Sequence, residues 1–191
     1  ENESLYKEPH CKCACGYTGL SCEEPACSCG PYGKSEGTEF NDGAPGRLPG
    51  FQIVHSPVSV ILGLKQAYGG CNIGFMIGET CSTYGGTAAD CKTEEFNYFD
   101  CGEQMYKVQG HLNEAEDTVM SLKFFTRRSV GSAEYGPFGE TGVKPTFKAW
   151  GSALQCIVGV VDDNENDNDR GINQVQFYFK GQCHCREYEY H

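Results

Sequence analysis

No apolar run in this 191-residue chain reaches the roughly 18 residues a membrane-spanning helix requires, so nothing in it reads as inserting into a membrane. Helical periodicity is missing too. No segment keeps apolar residues at i, i+3, i+4 and i+7 over several turns, which excludes a helical bundle. Basic residues are scarce: 15 Lys and Arg stand against 26 Asp and Glu, for a net charge of −11. Nucleic acids and anionic membranes attract clustered positive charge, so this balance argues against both as partners. The G-x-S-x-G turn of serine hydrolases is absent. The five histidines, at 10, 55, 111, 184 and 191, are scattered, and no nucleophile stands beside a base. The chain therefore reads as non-catalytic. The opening residues ENESLYKEPH are polar and lack an apolar signal core, so the numbering is expected to start at a mature N-terminus.

Cysteine is what the chain has in quantity, with thirteen at positions 11, 13, 15, 22, 27, 29, 71, 81, 91, 101, 156, 183 and 185. CKCAC, CSC and CHC are raw material for a metal site, but zinc ligands favour C-x2-C knuckles and the spacing here is mostly C-x-C. Disulfides in an oxidising compartment are the better account, and they imply a secreted, extracellular protein. The sequon Asn2-Glu3-Ser4 fits a glycoprotein glycosylated at Asn2. The odd count leaves one cysteine free, bridged to another chain in a homo-oligomer, or missing a partner upstream.

Two regions differ in composition. Residues 1–29 hold six cysteines and almost no aliphatic side chains, so only covalent links can fix them. Residues 30–182 carry short apolar segments between turn residues, the pattern of an all-β domain. The strand candidates are FQIVH, SVILGLKQAY, QMYKVQGH, TVMSLKFFT, TFKAWG, LQCIVGVV and INQVQFYF. A cysteine-rich insertion occupies 71–101; its cysteines fall every ten residues, but the intervening stretches share no pattern and form no repeat. A cysteine-containing tail follows at 183–191. Trp150, the only tryptophan, reads as a strand-edge or core residue.

CKCACGYTGLSC resembles the closing half of an EGF-like module, with Cys11, Cys13, Gly16, Tyr17, Gly19 and Cys22 filling its pattern. That resemblance implies a Cys13–Cys22 bridge. Cys15 is extra and the module's earlier cysteines are absent, so Cys11 is expected to pair elsewhere, with Cys27 or Cys29. The larger region resembles the jacalin-related lectins. The resemblance rests on GPYGKSEGTEFND, FQIVHSPVSVILGLKQAYGG, GEQMYKVQGH, TVMSLKFFTRR, EYGPFGETG, FKAW and IVGVVDDNENDNDRGINQVQFYF, in that order, and YGPFG is the most specific of them. It implies a β-prism I fold of three four-stranded Greek-key sheets that binds glycans or glycoproteins.

In that family, sugar sits between the first Gly-rich loop and the loop before the last strand, which reads G-x-x-x-D. Backbone N–H groups and the Asp carboxylate hold adjacent hydroxyls there, and a charge-assisted carboxylate acceptor gives the stronger bonds. Carried onto this chain, the site comprises Gly30, Tyr32, Gly33 and Lys34, the connection with His111 and Asn113, and Asp169, Arg170, Gly171, Ile172 and Asn173. The family pattern is altered. Asn173 stands where the Asp belongs and loses its charge, and Asp169 stands where the Gly belongs.

The same loop offers Asp162, Asp163, Glu165 and Asp167, together with Asp169, as oxygen ligands for calcium. It fails the EF-hand frame: counted from Asp163, position 6 is Asn168 rather than Gly and position 12 is Gln174 rather than Glu. A solvated acidic loop is the simpler reading. Two functions stay open, a lectin or cell-adhesion protein needing no cofactor, and an extracellular structural protein whose acidic loop engages calcium or a basic partner. The odd cysteine gives a direct test. Mass spectrometry of the unreduced chain should show either one alkylated thiol or a doubled mass that reduction abolishes, and neither result would leave the count unexplained.

Overall fold

A computed structural model of the chain describes residues 13–41, 50–55, 61–67, 77–78, 91–97, 104–127, 131–140, 142–162 and 171–188. All regular structure in these residues is β. The strands are β1 (Tyr17–Thr18), β2 (Glu24–Pro25), β3 (Cys27–Gly33), β4 (Thr38–Phe40), β5 (Gly50–His55), β6 (Ile61–Ala67), β7 (Ile77–Gly78), β8 (Lys92–Asn97), β9 (Gln104–Leu112), β10 (Val119–Arg127), β11 (Ser132–Gly139), β12 (Phe147–Val161) and β13 (Ile172–Glu187).

Period-two alternation places the core. In β13, Val175, Phe177 and Phe179 are buried while Gln174, Gln176 and Tyr178 between them are not. β10 and β12 supply Leu122, Phe124, Phe147 and Ile157 to the same cluster, and β6 supplies Ile61. Burying four phenylalanines completely leaves no room for truncation at this centre.

Two strands are far longer than the sequence suggests. TFKAWG and LQCIVGVV are one strand, the 15-residue β12, and INQVQFYF continues through the CHC segment as the 16-residue β13. The two pair antiparallel along their length, with register shifts between Gly151 and Ala153 and between Leu154 and Cys156. Such irregularities bend a ribbon, and this one serves two faces. Phe147–Trp150 pairs with β9, extending β9–β10–β11, whereas Gly159–Val161 pairs with β4 and Gln174–Phe179 pairs with β3. With β7–β6–β5–β8 as the remaining sheet, the prism has its three faces.

A short motif recurs at corresponding places: GPYG at 30–33 closes β3 and GPFG at 136–139 closes β11. Both Gly–Pro peptides are cis, and both motifs present a buried aromatic, Tyr32 and Phe138. Their last glycines, Gly33 and Gly139, have positive φ. A Cβ there would lie 1.9 Å from Asn173 O and 2.2 Å from Met120 O respectively. Only glycine fits where the backbone must come that close.

The N-terminal ribbon β1–β2 is fastened to the prism by one buried side chain and by covalent links. Gln155 accepts from the Gly16 N–H at 3.2 Å and donates to the Tyr17 carbonyl at 3.0 Å. Beside it, Cys15 is bridged to Cys156. The Cys13–Cys22 bridge is present. The expected partners of Cys11 are not available, because Cys27 is bonded to Cys183 and Cys29 to Cys185. The reason is cross-strand: β3 lies beside β13, and the bent end of β13 returns the tail across β3. The tail is thus pinned to β3. The Sγ atoms of Cys29, Cys183 and Cys185 fall within 4.8 Å of one another, a metal-like cluster, but these bonds already consume them.

Cys15–Cys156 closes 141 residues of chain, so the double variant Cys15→Ala/Cys156→Ala should lose about 2–5 kcal/mol of unfolding free energy in chemical denaturation. An unchanged midpoint would show that the ribbon contributes nothing to the prism.

Candidate functional site

At one end of the prism the first Gly-rich loop meets the start of the last strand. The Lys34 N–H donates to Asn173 O at 3.1 Å, and the Asn173 amide donates to Glu36 O at 2.9 Å. Asn173 is 3% exposed, so its side chain ties the 34–37 loop to β13 and turns inward. Ile172 is wholly buried in the core. Gly171 accepts from the Asp162 N–H at 2.9 Å, which closes the base of the acidic loop. Lys34 forms an ion pair with Glu36 at 3.7 Å. Asp169 and Arg170, along with Asp163, Glu165, Asp167 and Asn2, lie outside the described residues.

On the other side of Gly33 is a cavity of about 440 Å³, and Tyr32 and Gly33 are the two expected residues that share it. Glu116, Thr146, Glu187 and Tyr188 complete its polar wall. Tyr32 is the central group. Its ring stacks on Phe147 at 4.2 Å and 7°, which fixes where the phenol points. The residue is 4% exposed, yet its hydroxyl has no hydrogen-bond partner among the described residues. Leaving such a group unpaired costs about 1–3 kcal/mol. Burial, reinforced by the Glu187 charge, pushes the phenol up to about 12, so it is a protonated donor at physiological pH. Glu116 and Glu187 are both exposed, and Glu116 sits in a turn at φ 55.

His111 and Asn113 do not join this group as expected. His111 ends β9 with Nδ1 at 2.8 Å from the Lys144 carbonyl. Asn113 folds its own turn, its Oδ1 accepting from the Asp117 N–H at 2.9 Å and its amide bonding the Asp117 carboxylate. Both line a second cavity, of about 720 Å³, together with Met120, Glu140 and Val143. The two cavities share Thr146 and Tyr188. Gly30, at φ 99, precedes the cis peptide and lies against the Val175 carbonyl, so its role is to set the course of β3.

Trp150 points outward from β12, half-buried, with its ring 5.7 Å from His184. Sequence reasoning missed Glu116 and Glu187. Neither lies in a motif. Glu187 reaches the cavity only because the Cys29–Cys185 bond and the Phe147↔Glu187 pairing carry the tail there.

A family model for the jacalin-like lectin domain matches residues 29–180. Among solved structures, the chain is similar to frutalin from Artocarpus incisa, at 18% identity over 82% of this chain and 96% of that one, with a TM-score of 0.62. Malaysian banana lectin matches at 20% identity over 82% and 99%, with a TM-score of 0.58. A mannose-specific jacalin-related lectin from Morus nigra, solved with mannose, matches at 17% identity over 80% and 93%, with a TM-score of 0.56. At such identities the likeness is one of fold. A direct search of curated proteins finds no match. Glu187 and Tyr188 fall beyond the matched segment.

Gly33→Ala would drive a Cβ into the Asn173 carbonyl at a φ of +109. It should lower unfolding free energy by about 2–4 kcal/mol, whereas Gly142→Ala, where the new carbon meets nothing within 4 Å, should cost clearly less. Equal losses would show that the 33–37 loop is not locked to β13.

Proposed function

The chain belongs to the family of jacalin-like lectin domains, and from that membership we propose that it is a non-catalytic carbohydrate-binding protein that receives sugar hydroxyls at the Tyr32 end of the prism. The observation that carries this reading is the Tyr32 phenol. It is buried, protonated and unpartnered at the wall of a cavity whose other polar groups include the Glu116 and Glu187 carboxylates. A saccharide ring presents neighbouring hydroxyls that both donate and accept. Carboxylates take the donated protons in charge-assisted bonds, and the phenol supplies a proton to a hydroxyl oxygen.

The altered family loop supports the same placement. Asn173 spends its amide on Glu36, so the chemistry at this end shifts from the family's aspartate toward the phenol and carboxylates across Gly33. Disulfides that join β3 and the N-terminal ribbon to β12 and β13 support an oxidising, extracellular setting, and adhesion to glycoproteins is the role that setting suits. Carboxylate and phenol need no metal to hold a hydroxyl, so no cofactor enters this reading.

A glycan array run with and without calcium tests it. Neutral glycans should bind in both conditions. Tyr32→Phe should weaken the best hit by about tenfold, the worth of one well-placed hydrogen bond, while the melting temperature holds or rises because a buried unpaired hydroxyl is gone. An array without neutral hits, or a Tyr32→Phe protein that binds as before, would sink the reading.

A further inference from the structure

The outward face of the β9–β10–β11 sheet and the adjoining end of the β12–β13 ribbon gather positive charge in a chain whose net charge is −11. Four consecutive strands each place one cation there: Lys123 on β10, Lys107 on β9, Lys148 on β12 and Arg186 on β13. Lys148 and Arg186 are direct cross-strand partners, and Gln109 separates Lys148 from Lys123 in the same row. Lys107 lies in the next row, between Phe125 and Trp150.

Two aromatic rings each hold a pair of these cations. Lys107 and Lys123 sit 4.4 and 5.2 Å from the Phe125 centroid, and Lys148 and Arg186 sit 5.5 and 4.9 Å from that of Tyr188. The rings fix the heads in place but leave their charge uncancelled. Glu134 is the one carboxylate among the described residues in ion-pair contact with any of the four, at 3.0 Å from Lys123.

Like charges directly opposite on neighbouring strands destabilise a sheet, so Lys148 and Arg186 repel each other even though the Tyr188 ring holds both heads. Lys107 is subject both to burial and to the positive field of its neighbours. Burial and then the Lys148 charge lower its pKa, with Lys123 adding to the same effect against Glu134 and Tyr188. An anionic partner relieves this repulsion.

We propose that this face binds an acidic polysaccharide, one bearing sulfate or carboxylate groups along its chain. Neighbouring strands lie about 4.8 Å apart, on the order of one extended sugar residue, so successive cations can meet successive charged sugars. A nucleic acid concentrates its charge more densely, and the acidic remainder of the protein would repel it. The choice of a saccharide as carrier rests on the lectin reading above. The surface adjoins the Tyr32 cavity at Tyr188, which lines that cavity and also holds Lys148 and Arg186. The cations themselves stand apart from it, since Glu187 faces the cavity and Arg186 the opposite side.

Dextran sulfate is the probe, with unsulfated dextran, poly-L-glutamate and a single-stranded DNA oligonucleotide as controls. The full chain should bind dextran sulfate, ignore dextran, and lose affinity steeply between about 50 and 200 mM salt. Lys148→Glu should weaken binding by about tenfold while raising the melting temperature, because an opposite charge now faces Arg186; a residue of purely structural importance would not split in this way. Glu134→Gln should tighten binding. Absence of dextran sulfate binding at low salt, or equal binding of polyglutamate or DNA, would overturn the proposal. A chain that binds dextran sulfate but no neutral glycan would keep this surface and lose the Tyr32 reading, and the reverse result would do the opposite.

Discussion

The pairing of β12 with β13 is the constraint on which the other parts depend. It runs across two faces of the prism and bends where its register shifts, between Gly151 and Cys156. One half completes the sheet with β9, and the other half receives β3 and β4. Without the bend, the tail could not return across β3, and Cys27 and Cys29 could not meet Cys183 and Cys185. The same bend carries Glu187 to Tyr32 on one side and Arg186 to Lys148 on the other. Alternation of side chains along a strand then assigns opposite chemistry to neighbouring residues.

The end of the prism shows how one residue type can change a site without changing the fold. An aspartate at position 173 would keep a charge available; asparagine instead closes the loop onto Glu36. In the proposed reading, recognition falls to groups that a pattern search would pass over. Tyr32 owes its character to burial against Phe147 and to the field of Glu187, both supplied by strands far away in sequence.

Much of the fold was legible. Alternation in INQVQFYF placed Val175, Phe177 and Phe179 on one face, and the order of the Gly-rich and apolar segments carried the β-prism resemblance. The Cys13–Cys22 bridge was what the EGF-like resemblance of CKCACGYTGLSC implied. The strand over SAEYGPFG was not among the expected ones, since glycine and proline interrupt its apolar alternation; the second GPxG copy marks it as the counterpart of GPYG. His111 and Asn113 were expected beside the first loop, but backbone contacts with Lys144 and Asp117 place them around the neighbouring cavity.

The resemblance to the jacalin-related lectins implied the prism architecture, and the sequence by itself determined the all-β class and the cysteine content that disulfides need. These depend on local alternation, turn residues and composition, which neighbouring residues in the chain carry together. Tertiary structure alone decided that Cys15 bonds to Cys156, that Tyr32 stands unpaired before two carboxylates, and that four cations gather on one face of an acidic chain. Each depends on contacts between residues tens to more than a hundred positions apart, fixed by strand register, and register is settled only when all three faces close on one core.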